Sequence, residues 1–160
     1  MDIQIVERKV AIAAPIEAVY GFHLDFDNLE KISPSWMKPK LLRTEGEGKG
    51  KILELEITQF SVFTSKWVVR VEEYDPPFKL SDLVLSGPLP YFYHIRTFTQ
   101  PCAEMTEMRD RLEYKLPFGF IGAIADKISV HKMMEQMFEH RHRVTKQILE
   151  EKYYIKTMPA

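Results

Sequence analysis

The 160-residue chain sets 22 Lys+Arg against 23 Asp+Glu, a formal net charge of −1, with no long run of like charges, so it lacks both a nucleic-acid footprint and a polybasic membrane arm. Its one cysteine, Cys102, excludes an internal disulfide, no apolar run approaches the roughly 20 residues that span a bilayer, and the charged start MDIQIVERKV lacks a signal-peptide core. The expectation is a cytoplasmic protein with one domain over residues 1–160, large enough to bury roughly 70% of its unfolded surface, and with no integral membrane segment.

Residues 2–12 place Val6, Val10 and Ile12 on one face, the alternation of a strand. APIEAVYGF then starts a helix with Pro15 in its first turn, and FDNLEKISP predicts a second, opened by Asp25 or Asp27 and closed by Pro34. From Lys38 to Leu116 strands and turns repeat, with breaks at EGEGKG, near Gln59, and at DPPF, SGPLP and QPCAE, which predicts six further strands. KILELEIT sets Leu53, Leu55 and Ile57 against Glu54 and Glu56. SVFTSKWVVRVEE sets Phe63, Trp67, Val69 and Val71 against Lys66, Arg70 and Glu72. Such alternation describes a curved antiparallel sheet with one wet and one dry face.

Residues 120–152 hold the long helical pattern, and its phase shifts. Ile121, Ile124, Ala125 and Ile128 share one side, whereas Val130, Met133, Met134, Met137, Val144 and Ile148 centre on nearly the opposite side. The expectation is a break or kink near Asp126 to Ser129, after which a long helix lies on the dry face of the sheet. A long helix gripped by seven antiparallel strands, with two short helices after the first strand, is an α+β helix-grip arrangement. The chain must leave its last strand through Pro117, Phe118, Gly119 and Phe120, so Phe118 and Phe120 are expected at the mouth of any space between helix and sheet.

The last two strands carry the candidate chemistry. In YFYHIRTFT the even positions are Phe92, His94, Arg96 and Phe98; in EMTEMRDRLEYKL they include Met108, Asp110, Leu112 and Tyr114, while the odd positions are nearly all charged. The even face therefore points inward and brings His94, Arg96 and Asp110 together. A reversal centred near Cys102 predicts His94 beside Asp110, Phe98 beside Thr106 and Phe92 beside Leu112. A buried Asp110 needs a partner: His94, Arg96, or a group from the helix, for which Arg141 on the Met137 side is the candidate. A structural ion-pair cluster is the simpler reading; a polar ligand anchor and a catalytic His94–Asp110 pair are the alternatives.

His131, His140 and His142 lack companions at metal-ligand spacing and are read as solvated or helix-edge residues, so no metal is expected. Cys102 has no flanking base to activate it. GxSxG, HExxH and P-loop patterns do not occur, and no cofactor is expected.

Taken together, AAPIEAVYGFHLDFDNLEKISP, FYHIRTF, TEMRDRLEYKLPFG and FEHR resemble the SRPBCC or START-like superfamily of polyketide cyclase/dehydrase-like, lipid-transfer and related proteins, over nearly the whole chain. The later pieces look like a bacterial branch in which an aromatic–x–His–x–His–x–Phe strand precedes Thr–x–Met–x–Asp, an aromatic and Pro–x–Gly. Phe92, His94, Phe98, Thr106, Met108, Asp110, Tyr114, Pro117, Gly119, Phe138 and Arg141 match it; Arg96 replaces the second histidine, and Ala103, Glu104 and Met105 replace glycines expected before Thr106. The resemblance implies a hydrophobic cavity between sheet and helix. Dry-face aromatics Phe63, Trp67, Phe92, Phe98 and Tyr114 would then face Met134 and Met137, which suits binding or transport of a small hydrophobic or amphipathic molecule. The alternative is a cyclase or dehydratase-like enzyme. Oligomeric state is left open.

Overall fold

The structure, a computed structural model, describes residues 2–117 and 124–157, with the side chains of 124–127, 155 and 157 set aside. In chain order these form β1 (Gln4–Ile12), α1 (Ile16–Leu24), α2 (Phe26–Ile32), β2 (Met37–Glu45), β3 (Ile52–Gln59), β4 (Phe63–Asp75), β5 (Lys79–Ser86), β6 (Tyr91–Cys102), β7 (Met105–Lys115) and α3 (Ile124–Thr157). The strands make one antiparallel sheet in the order β1-β7-β6-β5-β4-β3-β2. β1 and β2 occupy opposite edges, so α1 and α2 carry the chain across the full width of the sheet. The turn signals at EGEGKG, Gln59, DPPF and SGPLP fall at strand ends as expected, whereas most of QPCAE lies inside β6, which runs to Cys102. Pro15 caps α1, and the Asp25 side chain accepts from the Asp27 N–H at 3.0 Å to start α2.

The inner face of the sheet packs against α3. Met134, Met137 and Phe138 bury with Val6, Leu112, Tyr114 and Leu116, and further along Leu149 joins Ile12, Val19, Tyr20, Phe98 and Met108. Thr106 closes the floor of that second cluster: its hydroxyl, fully buried, donates to the Ala14 carbonyl at 2.8 Å and pins β7 to the turn before α1.

Two expectations need correction here. The helix does not break near residues 126–129 but runs unbroken from Ile124. The stretch contains neither proline nor glycine, so nothing interrupts the hydrogen-bond ladder. Of its first apolar stripe only the Ile128 side chain is described, and it is exposed; Ile121 and the side chains of Ile124 and Ala125 lie outside the described residues.

The register of β6 on β7 is also displaced by two residues. Arg96 faces Asp110, His94 faces Leu112, Phe92 faces Tyr114 and Phe98 faces Met108. The displacement arises because β6 continues to Cys102 and reverses at Ala103–Glu104, with an irregularity between Thr99 and Cys102. An even displacement leaves every side chain on its expected face.

Candidate functional site

Between the inner face of the sheet, α3 and the two short helices lies a cavity of about 630 Å³. Leu53, Leu55, Ile57, Trp67, Val69, Val84 and Phe92 form its sheet wall, and Met133, Met134, Met137 and Phe138 its helix wall; Phe26, Ile32 and Trp36 close the side of α2. Leu116 and Pro117 also line it, but Phe118 and Phe120, expected at the mouth, lie outside the described residues. The sheet supplies this wall because one residue in two along β3, β4 and β6 points inward. Trp67 is held edge-on to Phe92, with ring centres 5.4 Å apart, and its indole N–H donates to the Ser65 hydroxyl at 2.9 Å.

Not every expected aromatic reaches the cavity. Phe63 is 68% exposed: it shares the period of Trp67 but is the first residue of β4, at the hairpin tip beyond the area α3 covers. Phe98 and Tyr114 are inward but belong to the core. Phe98 packs edge-on against Tyr20 at 5.2 Å, and the Tyr114 hydroxyl meets His131 Nδ1 at 3.3 Å.

Buried polar side chains gather in one part of the cavity. His23, Asp82, His94, Arg96 and Arg141 line it, and Asp110 lies directly behind. Asp110 is 1% exposed and accepts from three donors: Arg96 Nε at 2.8 Å and His94 Nε2 at 2.6 Å on one oxygen, His142 Nε2 at 2.6 Å on the other. Burial alone would push this carboxyl up. Arg96, His94 and the hydrogen bonds from the two histidines outweigh it and hold Asp110 well below the usual carboxylate range.

An ionised carboxylate only accepts, so His94 and His142 both present Nε2–H to it, leaving Nδ1 of His94 as that ring's acceptor. Burial and the neighbouring Arg96 lower the pKa of His94 in spite of Asp110.

The helix group that reaches Asp110 is therefore His142, not Arg141, and His142 is buried rather than solvated. Consecutive helical residues are about 100° apart around the axis, so when sheet and short helices embrace α3 both can be inward. Arg141 faces the cavity, with Nη2 donating to the Met37 thioether at 3.6 Å and Nε buried without a partner.

Two further residues were missed. Asp82 alternates with Leu80 and Val84, the same signal that marked Asp110 as inward; its carboxyl has no hydrogen-bond or ion-pair partner among the described residues and burial pushes its pKa up. His23 sits one turn after Val19 and Tyr20 on the buried side of α1, has Nε2 buried without a partner, and is held well below its ordinary pKa by burial and Arg96. Among the described residues no group of three His, Cys, Asp or Glu is arranged to hold a metal ion, and no helix is long and apolar enough to cross a membrane.

No protein-family model matches the chain, and no curated protein matches it in sequence. Solved structures do match. A protein of Thermus thermophilus superposes with a TM-score of 0.72 at 20% identity, covering 97% of this chain and 100% of its own. A START superfamily protein of Mycobacterium smegmatis gives 0.71 at 14% identity, with 92% and 97% covered. The Zhui aromatase/cyclase of a Streptomyces species gives 0.68 at 20% identity, with 98% and 97% covered. At these identities the likeness is one of fold: the chain has the START-like helix-grip fold.

Proposed function

We propose that the chain is a single binding unit for a small hydrophobic or amphipathic molecule, held between the sheet and α3. The observation that carries this reading is the cavity itself: about 630 Å³, walled by aliphatic, aromatic and thioether side chains, with its buried charged groups gathered together. Pockets for small organic ligands fall in this size range and have this composition. Its methionines suit a flexible or irregular ligand, because an unbranched thioether repacks at little cost. Native mass spectrometry of protein purified from cells tests the proposal: a stoichiometric organic adduct is expected. Protein that is empty, and that fails to bind added alkyl or aryl probes, would remove the reading.

A second reading is favoured by one arrangement. His94 lines the cavity with Nε2–H held by Asp110, the orientation that leaves a ring nitrogen to accept a proton, and one structural neighbour is an aromatase/cyclase. A cyclase or dehydratase-like enzyme would use His94 as base, Asp110 as its positioning partner, and Asp82, whose carboxyl burial pushes up, as a proton donor. Turnover of a polyketide-like substrate that is lost in His94→Phe while binding persists would favour this reading over simple carriage.

A further inference from the structure

Arg141 is the unexplained charge of the cavity. Its side chain projects from α3 into the cavity wall and is 9% exposed, yet no carboxylate among the described residues lies within ion-pair distance of it. Nη2 meets only a thioether, a weak acceptor, and Nε meets nothing. The charged groups that act on it are Arg96, which repels it, and Asp110, whose two oxygens are already taken by Arg96, His94 and His142. Burial, with Arg96, lowers its pKa to about 10, which still leaves it a cation at neutral pH.

A buried guanidinium left without an acceptor is costly, and a methionine at this position would fill the same space without that cost. The arrangement makes chemical sense when something entering the cavity completes it.

We propose that the molecule held in the cavity is an amphipathic organic acid, its single carboxylate or comparable oxyanion paired with Arg141 and its apolar body lying between Trp67, Phe92 and the methionines of α3. This rests on the cavity being a binding site, as proposed above. Charge selects one negative group rather than two. Arg96 is neutralised by Asp110, so Arg141 is the cation of the buried polar cluster left without an ion-pair partner among the described residues, and no second cation of the cluster is free to pair with another anion. The planar fork of an arginine suits two-point pairing with a carboxylate better than a point charge would.

The test compares matched probes that differ only in the head group: decanoate against decanol, and 1-naphthoate against 1-naphthalenemethanol. Each is titrated at neutral pH into protein freed of co-purified molecules, with binding read by calorimetry. At least one acid should bind tenfold or more tightly than its alcohol. Arg141→Gln should bring that pair within about threefold, chiefly by weakening the acid, and Arg141→Lys should keep part of the preference. Equal affinity for acid and alcohol, or a preference that survives Arg141→Gln, overturns the inference and leaves the cavity reading standing. Failure of all four probes overturns the cavity reading itself.

A measurement on the wild-type protein covers the case in which the variants do not fold. Carboxyl-labelled decanoate, followed by ¹³C NMR in its bound state, should remain ionised from pH 7 to 5.5, because a guanidinium holds a carboxyl pKa down. An apolar pocket without such a partner raises it, so a protonation midpoint inside that window refutes the pairing.

Discussion

Replacing Asp110 with alanine removes the acceptor on which three side chains from two elements converge: His94 and Arg96 of β6, and His142 of α3. The arginine is the expensive one, since it is 8% exposed and Asp110 is its only ion-pair partner among the described residues. Breaking a buried pair by deleting one member costs about 3–5 kcal/mol. For a chain of 160 residues this lowers Tm by about 6–20 °C. Urea unfolding followed by the fluorescence of Trp36 and Trp67 measures the loss directly, under a two-state analysis.

Adding Arg96→Met to Asp110→Ala removes the stranded charge, so the double variant should recover at least about 1 kcal/mol over the single one. A loss below about 1 kcal/mol for Asp110→Ala would mean that cavity water solvates Arg96 adequately, and the view of Asp110 as the structural tie between helix and sheet would be wrong. A further decline in the double variant would refute it as well.

Two other outcomes are expected. His23 and His94 both have folded pKa values below their ordinary one, so below about pH 6.5 the unfolded chain binds more protons than the folded one and stability falls as pH falls; between pH 7.5 and 5.5 the loss should reach about 1–3 kcal/mol, and equal or greater stability at pH 5.5 would contradict it. Val69→Phe extends a cavity-wall residue into empty space, so stability should change by less than about 1 kcal/mol while decanoate and decanol both lose at least tenfold in affinity; retained affinity would move the ligand elsewhere.

The alternation in β3, β4, β6 and β7, together with the long helical stripe, made the architecture legible, because each strand shows one wet and one dry face. Pairing register was less legible. The two-residue displacement between β6 and β7 depends on how far β6 runs before reversing, and alternation is blind to an even shift. The site was legible where alternation within a strand carried the signal, as with His94 and Arg96 on β6 and Asp110 on β7.

It was not where burial depends on several elements at once. Periodicity placed Arg141 inward, but could not show that α3 is enclosed widely enough for His142, one residue on, to be inward too. Phe63 failed for the opposite reason: its face was right, but its distance along the strand put it past the covered region. Asp82 carried a readable signal in the Leu80–Asp82–Val84 alternation that the same reasoning could have used.

The turn between β3 and β4 has mechanical meaning for the cavity. Phe60 and Ser61 both take left-handed backbone conformations, with φ of 52° and 60°, an uncomfortable state for a bulky residue such as Phe60. Phe60 is fastened there twice: its N–H donates to the Trp36 carbonyl at 2.7 Å, and its ring stacks on the Trp36 ring at 5.3 Å. Trp36 is itself part of the cavity wall. The hairpin and that wall are thus fastened to each other through Trp36, so the residue that bounds the cavity is also the one that holds the left-handed turn in place. At the tip of the same hairpin Phe60, Val62 and Phe63 stand in solvent, so an apolar edge exposed to solvent and the inner wall of the cavity share one anchor.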